Sequence, residues 1–187
     1  MGKYKTQKLS IAGTMSSTIR RKIDGEQIVN STDFRHGVIW ATQSQYNSVV
    51  PCVDIAPIIE SGTEISCVFI KKNEDNGMLR FAGGHVEHGT LEENAIREMQ
   101  EEIGVFDYTH PDYIGSFVID DWRYRHDQKV VTALFAVNIT DKHIKPGDDA
   151  DEVVIVKLCD IIEGKVNIVP EHIDMLSKLV ATLMVGE

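Results

Sequence analysis

The sequence predicts an α/β (α+β) fold, a mixed β-sheet sandwiched between helices, with a β-rich extension at the amino terminus. From Val49 onward, runs rich in Val, Ile and Phe are interrupted by segments with helical spacing of apolar residues. Their order is strands, a helix, more strands and a helix, which suits a sheet covered on both faces. Residues 1–48 are polar and lack the long apolar runs that follow. Such a piece is too small to bury a core of its own and must pair with something. The chain therefore divides into an extension, 1–48, and a main domain, 49–187.

In the extension, Ile19 and Ile23 precede Asp24-Gly25, and Ile28 and Val29 follow, which predicts a hairpin about a tight turn. Val38-Ile39-Trp40 predicts one more strand. A partner subunit or the chain's own main domain would cover these strands. In the main domain, 53–59 and 65–71 are β-rich, and Asn76-Gly77 closes a loop before Met78-Leu79-Arg80-Phe81. A helix is expected over Leu91–Ile103, then strands over 113–119, 130–139 and 153–158. The segment 170–184 closes the chain as a helix. Pro170 suits its first turn, and Ile173, Leu176, Val180 and Leu183 recur at helical spacing.

Composition narrows the function. A chain of 187 residues fits one ordinary domain with a small appendage. Nineteen basic against 29 acidic side chains leave a formal charge of −10. That balance argues against nucleic acid, whose binders need Lys and Arg to replace counterions. A small phosphorylated substrate is still compatible, provided divalent cations lie between its charge and the protein's carboxylates. Cys52, Cys67 and Cys159 sit among apolar residues, without disulfide or zinc spacing. They are expected to be buried, reduced thiols in a cytoplasmic protein. No apolar run approaches the roughly 18 residues needed to span a membrane, so no membrane is expected as a partner.

The chemistry concentrates around one helix. Thr90 with Glu93 makes a capping box that starts it at Leu91, and Gly104 ends it. At about 100° per residue, Glu102 falls near about +40° from Glu98, and Glu101 near about −60°. The three carboxylates share one face, expected to be exposed, beside an apolar stripe of Ala95, Ile96, Met99 and Ile103. Like charges this close repel, and hard oxygen ligands suit Mg²⁺ or Mn²⁺. A solvated acidic helix face is the competing reading. Gly83-Gly84 ahead of the helix permits close backbone approach to a ligand, and Gly89 permits a bend into the cap.

Together these residues resemble the signature of the Nudix hydrolase superfamily. Arg97, Glu98, Met99, Glu101, Glu102, Gly104 and Val105 match its second half, and Gly84, Glu87 and Gly89 fit the first. Weaker similarity extends across most of 49–187. One residue is lost between Gly89 and Arg97, where the family has a glutamate understood to help order the helix. Glu87 and Glu92 are the available substitutes.

The resemblance implies a Mg²⁺- or Mn²⁺-dependent hydrolase that cleaves a diphosphate bond. Glu98, Glu101 and Glu102 would hold the metal, helped by the Gly83 carbonyl, with Arg97 orienting the glutamates. The general base would be a signature glutamate or an acid of the loop 145–152, where Glu152 is the candidate. That loop resembles the one in ADP-ribose pyrophosphatase-like domains. In those domains the segment holding Trp122, Arg123 and Arg125 would meet substrate, together with Gly83 and Gly84. ADP-ribose or a related dinucleotide is thus the expected substrate. A nucleoside triphosphate pyrophosphatase and a non-catalytic nucleotide sensor are the alternatives. A homodimer using 1–48 is expected, as in many ADP-ribose pyrophosphatases.

Overall fold

The computed structural model describes residues 48–121, 128–140, 144–147 and 150–185. The expected hairpin near Asp24-Gly25 and the strand at 38–40 lie outside them.

Strand β1 (Ser48–Ser61) turns through Gly62 and Thr63 into β2 (Glu64–Lys71), with Ser61 opposite Glu64. Gly62 has φ 65°, the left-handed conformation that a two-residue hairpin turn favours. A 3-10 turn at Asn73–Asp75 follows, closed by Asn76 and Gly77 at positive φ. The next segment makes isolated bridges, Ile70 to Arg80 and Leu79 to Ile168. A regular strand, β3 (Ala82–His85), then begins and runs through Gly83-Gly84. The two glycines ahead of the helix are therefore strand residues. Their conformation is imposed by pairing with β1, Asp54 opposite Gly83 and Val53 opposite Gly84. β1 changes partner along its length, from β3 at 52–55 to β2 at 58–61. The change falls across Ala56 and Pro57, and a proline, lacking an N–H, suits an interrupted ladder.

Helix α1 (Leu91–Ile103) has the expected limits, with both halves of the Thr90–Glu93 capping box formed and Gly104 left-handed at its end. After it come β4 (Asp112–Ile119), β5 (Gln128–Asn138) and β6 (Glu152–Lys157). A short helix, α2 (Leu158–Ile162), continues directly from β6. Pro170–His172 forms a 3-10 turn leading into α3 (Ile173–Val185). The six-stranded sheet has the order β4-β5-β1-β2-β6, with β3 beside β1.

Side chains alternate across this sheet with the strand period of two. Val53, Ile55, Val68, Ile70, Phe135 and Val137 face α1, which contributes Ala95, Met99 and Ile103. Ala56, Ile58, Phe69 and Leu134 belong to the opposite layer, with Met175 and Leu179 of α3. Each large apolar side chain so buried contributes about 1.5–3 kcal/mol. The expected stripe of α3 shifts by a residue or two. Ile173 is 49% exposed, Met175 and Leu179 are buried, and Leu176, Val180 and Leu183 pack alongside.

The cysteines differ from the expectation of uniform burial. Cys67 is buried, Cys52 is half-buried, and Cys159 on α2 is exposed. Burial pushes the Cys67 thiol far above its ordinary pKa. Among the described residues, no helix is long and apolar enough to cross a membrane.

Candidate active site

Helix α1 presents its carboxylates to a cavity of about 390 Å³, which Asp54 of β1 and Gly83 and Gly84 of β3 also line. Asn94 sets the entry to the helix. Its side chain, 2% exposed, accepts from the Glu87 N–H at 3.0 Å and donates to the carbonyls of His88 and Thr90. This residue ties the cavity loop to the first turn, so it performs the ordering expected of Glu87 or Glu92. At the other end, the N–H groups of Lys145 and Gly147 donate to the Ile103 and Glu102 carbonyls, satisfying groups that a helix end leaves open. A Cβ at Gly147 would collide with the Glu101 carbonyl oxygen. The expected acidic loop thus begins as a cap for the signature helix.

The three glutamates do share a side of α1, but not an exposed face. Glu98 is 8% exposed and Glu102 1%, while the Glu101 side chain is 46% exposed. The sheet edge makes the difference, because β3 comes close enough to cover Glu98. A Cβ at Gly84 would lie 2.5 Å from Glu98 Oε1, so the missing side chain is the space the carboxylate fills. Arg97 donates to Glu98 Oε1 and Glu101 Oε2, both at 2.6 Å, and to the His85 carbonyl at 3.1 Å. Glu102 takes the Gly83 N–H on Oε2 at 2.8 Å and the Lys72 ammonium on Oε1 at 2.7 Å. Burial raises the Glu98 carboxyl above its ordinary pKa; Arg97 opposes that shift, Glu101 adds to it, and Lys72 opposes it again.

Glu98, Glu101 and Glu102 line the cavity as hard oxygen donors, the ligand type that suits a divalent cation, and Gly84 leaves room for Glu98. Among the described residues no three His, Cys, Asp or Glu side chains converge on a common point. Arg97 and Lys72 hold the carboxylates on separate partners.

Glu152 falls elsewhere. It opens β6 opposite Lys71 and pairs with that ammonium at 2.8 Å. It is not among the described residues lining the cavity. The ladder register directs Glu152 to Lys71, a constraint that a loop acid seen in sequence does not reveal. Trp122, Arg123 and Arg125 lie outside the described residues.

Other cavity residues gave little signal in the sequence. Asp54 is buried and accepts from the Thr132 hydroxyl at 2.5 Å. His172 Nε2 lies 3.8 Å from the other Asp54 oxygen. Its Nδ1 accepts from the Phe81 N–H at 3.1 Å, which places the ring proton of a neutral imidazole on Nε2, facing Asp54. The ring also stacks on Phe81, with centroids 5.6 Å apart. An acid within the apolar run 53–59 was the one visible hint of this cluster.

A model of the NUDIX domain matches residues 50–179. Comparison with curated protein sequences finds no significant match. Solved structures of the same fold include the NUDIX domain of Shewanella oneidensis NrtR complexed with ADP ribose. That domain is 13% identical, with a TM-score of 0.62 over 75% of this chain and 92% of its own. A C. elegans Ap4A hydrolase binary complex is 18% identical, with a TM-score of 0.55 over 72% of this chain and 98% of its own. A MutT protein from Methanosarcina mazei is 19% identical, with a TM-score of 0.56 over 71% and 93%. With the family match covering most of the chain and the signature helix set against its own sheet edge, the chain belongs to the NUDIX domain family and is a Nudix hydrolase.

Proposed function

We propose that this hydrolase cleaves the diphosphate bond of a nucleoside diphosphate derivative, with ADP-ribose or a related dinucleotide as the preferred substrate. The observation that carries this reading is the set of signature carboxylates Glu98, Glu101 and Glu102 turned into one cavity. Neighbours of the same fold, one complexed with ADP ribose and one an Ap4A hydrolase, support the substrate class. Glu98, Glu101, Glu102 and the Gly83 carbonyl would hold Mg²⁺ or Mn²⁺. When bound, the metal would neutralise the diphosphate and activate a water for attack on phosphorus. Arg97 fixes Glu98 and Glu101 in orientation, and the Gly83 N–H fixes Glu102. With Glu152 drawn to Lys71, a signature carboxylate takes the part of general base. Trp122, Arg123 and Arg125 would contact the nucleoside and its phosphates.

The test is product analysis of the full chain with ADP-ribose, diadenosine tetraphosphate and nucleoside triphosphates, each with Mg²⁺ and with Mn²⁺. AMP and ribose phosphate released from ADP-ribose are expected. A nucleoside monophosphate and pyrophosphate, released only from triphosphates, would replace this reading with a triphosphate pyrophosphatase. Binding of nucleotide without any product would make the chain a sensor.

A further inference from the structure

Adjacent lysines at the end of β2 have opposite fates. Lys71 points to the exposed Glu152, while the Lys72 ammonium reaches the cavity and sits 2.7 Å from Glu102 Oε1. The Lys72 side chain is 11% exposed and that of Glu102 is 2% exposed, so this ion pair is largely removed from solvent. The backbone of Lys72 is pinned on its C-terminal side. Its carbonyl accepts from the Asp75 N–H at 3.0 Å. The following residue, Asn73, donates from N and Nδ2 to Asp151, each at 2.6 Å.

A carboxylate as buried as Glu102 requires a compensating charge. Arg97 is committed to Glu98 and Glu101, and one oxygen of Glu102 is occupied by the Gly83 N–H. Lys72 supplies a full positive charge at the other. A divalent cation held through Glu102 Oε1 would meet the Lys72 ammonium at that oxygen. Two cations cannot share it at close range without repulsion.

We propose that Lys72 is a tethered counter-cation of Glu102, which stabilises the fold when no metal is bound and competes with a divalent cation for that carboxylate. The inference rests on the metal-dependent reading above. It goes beyond that reading by giving a role to a residue outside the signature. When a metal takes Glu102, the Lys72 ammonium remains in the cavity, where it can turn to a phosphate of the substrate. The lysine thus costs metal affinity and in exchange keeps the acidic site folded and ready.

The experiment uses the full chain and MgCl₂ alone, with no substrate. Magnesium affinity is measured by calorimetry, and thermal stability is measured with and without the metal, for wild type, Lys72→Met and Lys72→Arg. Lys72→Met should bind Mg²⁺ about tenfold more tightly. It should also melt earlier than wild type without metal and gain more stability when metal is added. Lys72→Arg, which keeps the charge, should follow wild type in affinity. If Lys72→Met does not fold without metal, refolding that depends on Mg²⁺ gives the same support, and no recovery at millimolar Mg²⁺ overturns the proposal. A folded Lys72→Met protein with unchanged or weaker Mg²⁺ affinity would mean the lysine is a structural ion-pair partner only. If neither wild type nor Lys72→Met binds Mg²⁺, the metal-dependent reading itself falls, and this proposal with it.

Discussion

Glu98 carries a charge that its surroundings disfavour. Burial raises its carboxyl above the ordinary value of 4.5, despite the opposing pull of Arg97. A folded carboxyl that holds its proton more tightly than the unfolded one contributes most to stability below that ordinary value. The contribution is lost as pH rises through the raised folded value. Replacing it with a neutral isostere removes the loss. Glu98→Gln, measured without metal, should therefore melt at or above wild type at neutral pH. The difference should vanish below about pH 4.5. The same change should lower turnover by at least about a hundredfold, because a metal-binding charge is gone. Turnover near that of wild type would remove Glu98 from the mechanism, and a melting difference that ignores pH would refute the raised carboxyl. Trp122 is tested on binding. If it stacks on the nucleoside, Trp122→Ala should raise KM roughly five- to a hundredfold, at unchanged metal affinity. A KM within about twofold of wild type, with a lower melting temperature, would make it a packing residue. The carboxylate triad was legible in sequence because three residues on one helix fix their own relative angles. Its burial was not, since that depends on Gly84 and Lys72 arriving from other elements.

Helix α1 shows how local signals survive folding. The Thr90–Glu93 box and Gly104 act within a few residues of themselves, and the limits Leu91–Ile103 follow from them. β3 is the opposite case. Gly83 and Gly84 have no intrinsic preference for a strand, and only the approach of β1 makes them one. α2 also escaped notice, because its first residue, Leu158, continues the apolar character of β6 and the helix has only five residues. The junction before α1 offers a test of two ways to hold a helix start. Thr90→Ala removes one side of an exposed cap and should cost about 1 kcal/mol in a denaturant melt. Asn94→Ala removes three part-buried hydrogen bonds that tie Glu87, His88 and Thr90 to the helix and should cost about 2–4 kcal/mol. If the two variants unfold at the same denaturant concentration, Asn94 is not the anchor described here.

At the scale of the whole domain, one sheet separates two apolar layers, and the sequence foretold that arrangement through the order of its strands and its two main helical segments. The polar extension is too small to bury a core of its own. We expect residues 1–48 to contribute strands to a homodimer interface, so light scattering at micromolar concentration should report twice the mass of one chain. A single-chain mass would refute this. The same two-layer architecture also gives the protein a graded set of chemical clocks. Cys159 stands in solvent on α2, Cys52 lines the cavity half-covered, and Cys67 is sealed in the layer beneath α3 with its thiol held protonated. An alkylating reagent should therefore modify Cys159 at once. It should reach Cys52 at a rate that falls as the cavity fills, and Cys67 only as fast as the sheet itself comes apart. Three thiols in one reaction vessel would then time surface access, ligand occupancy and global opening separately, with no label introduced.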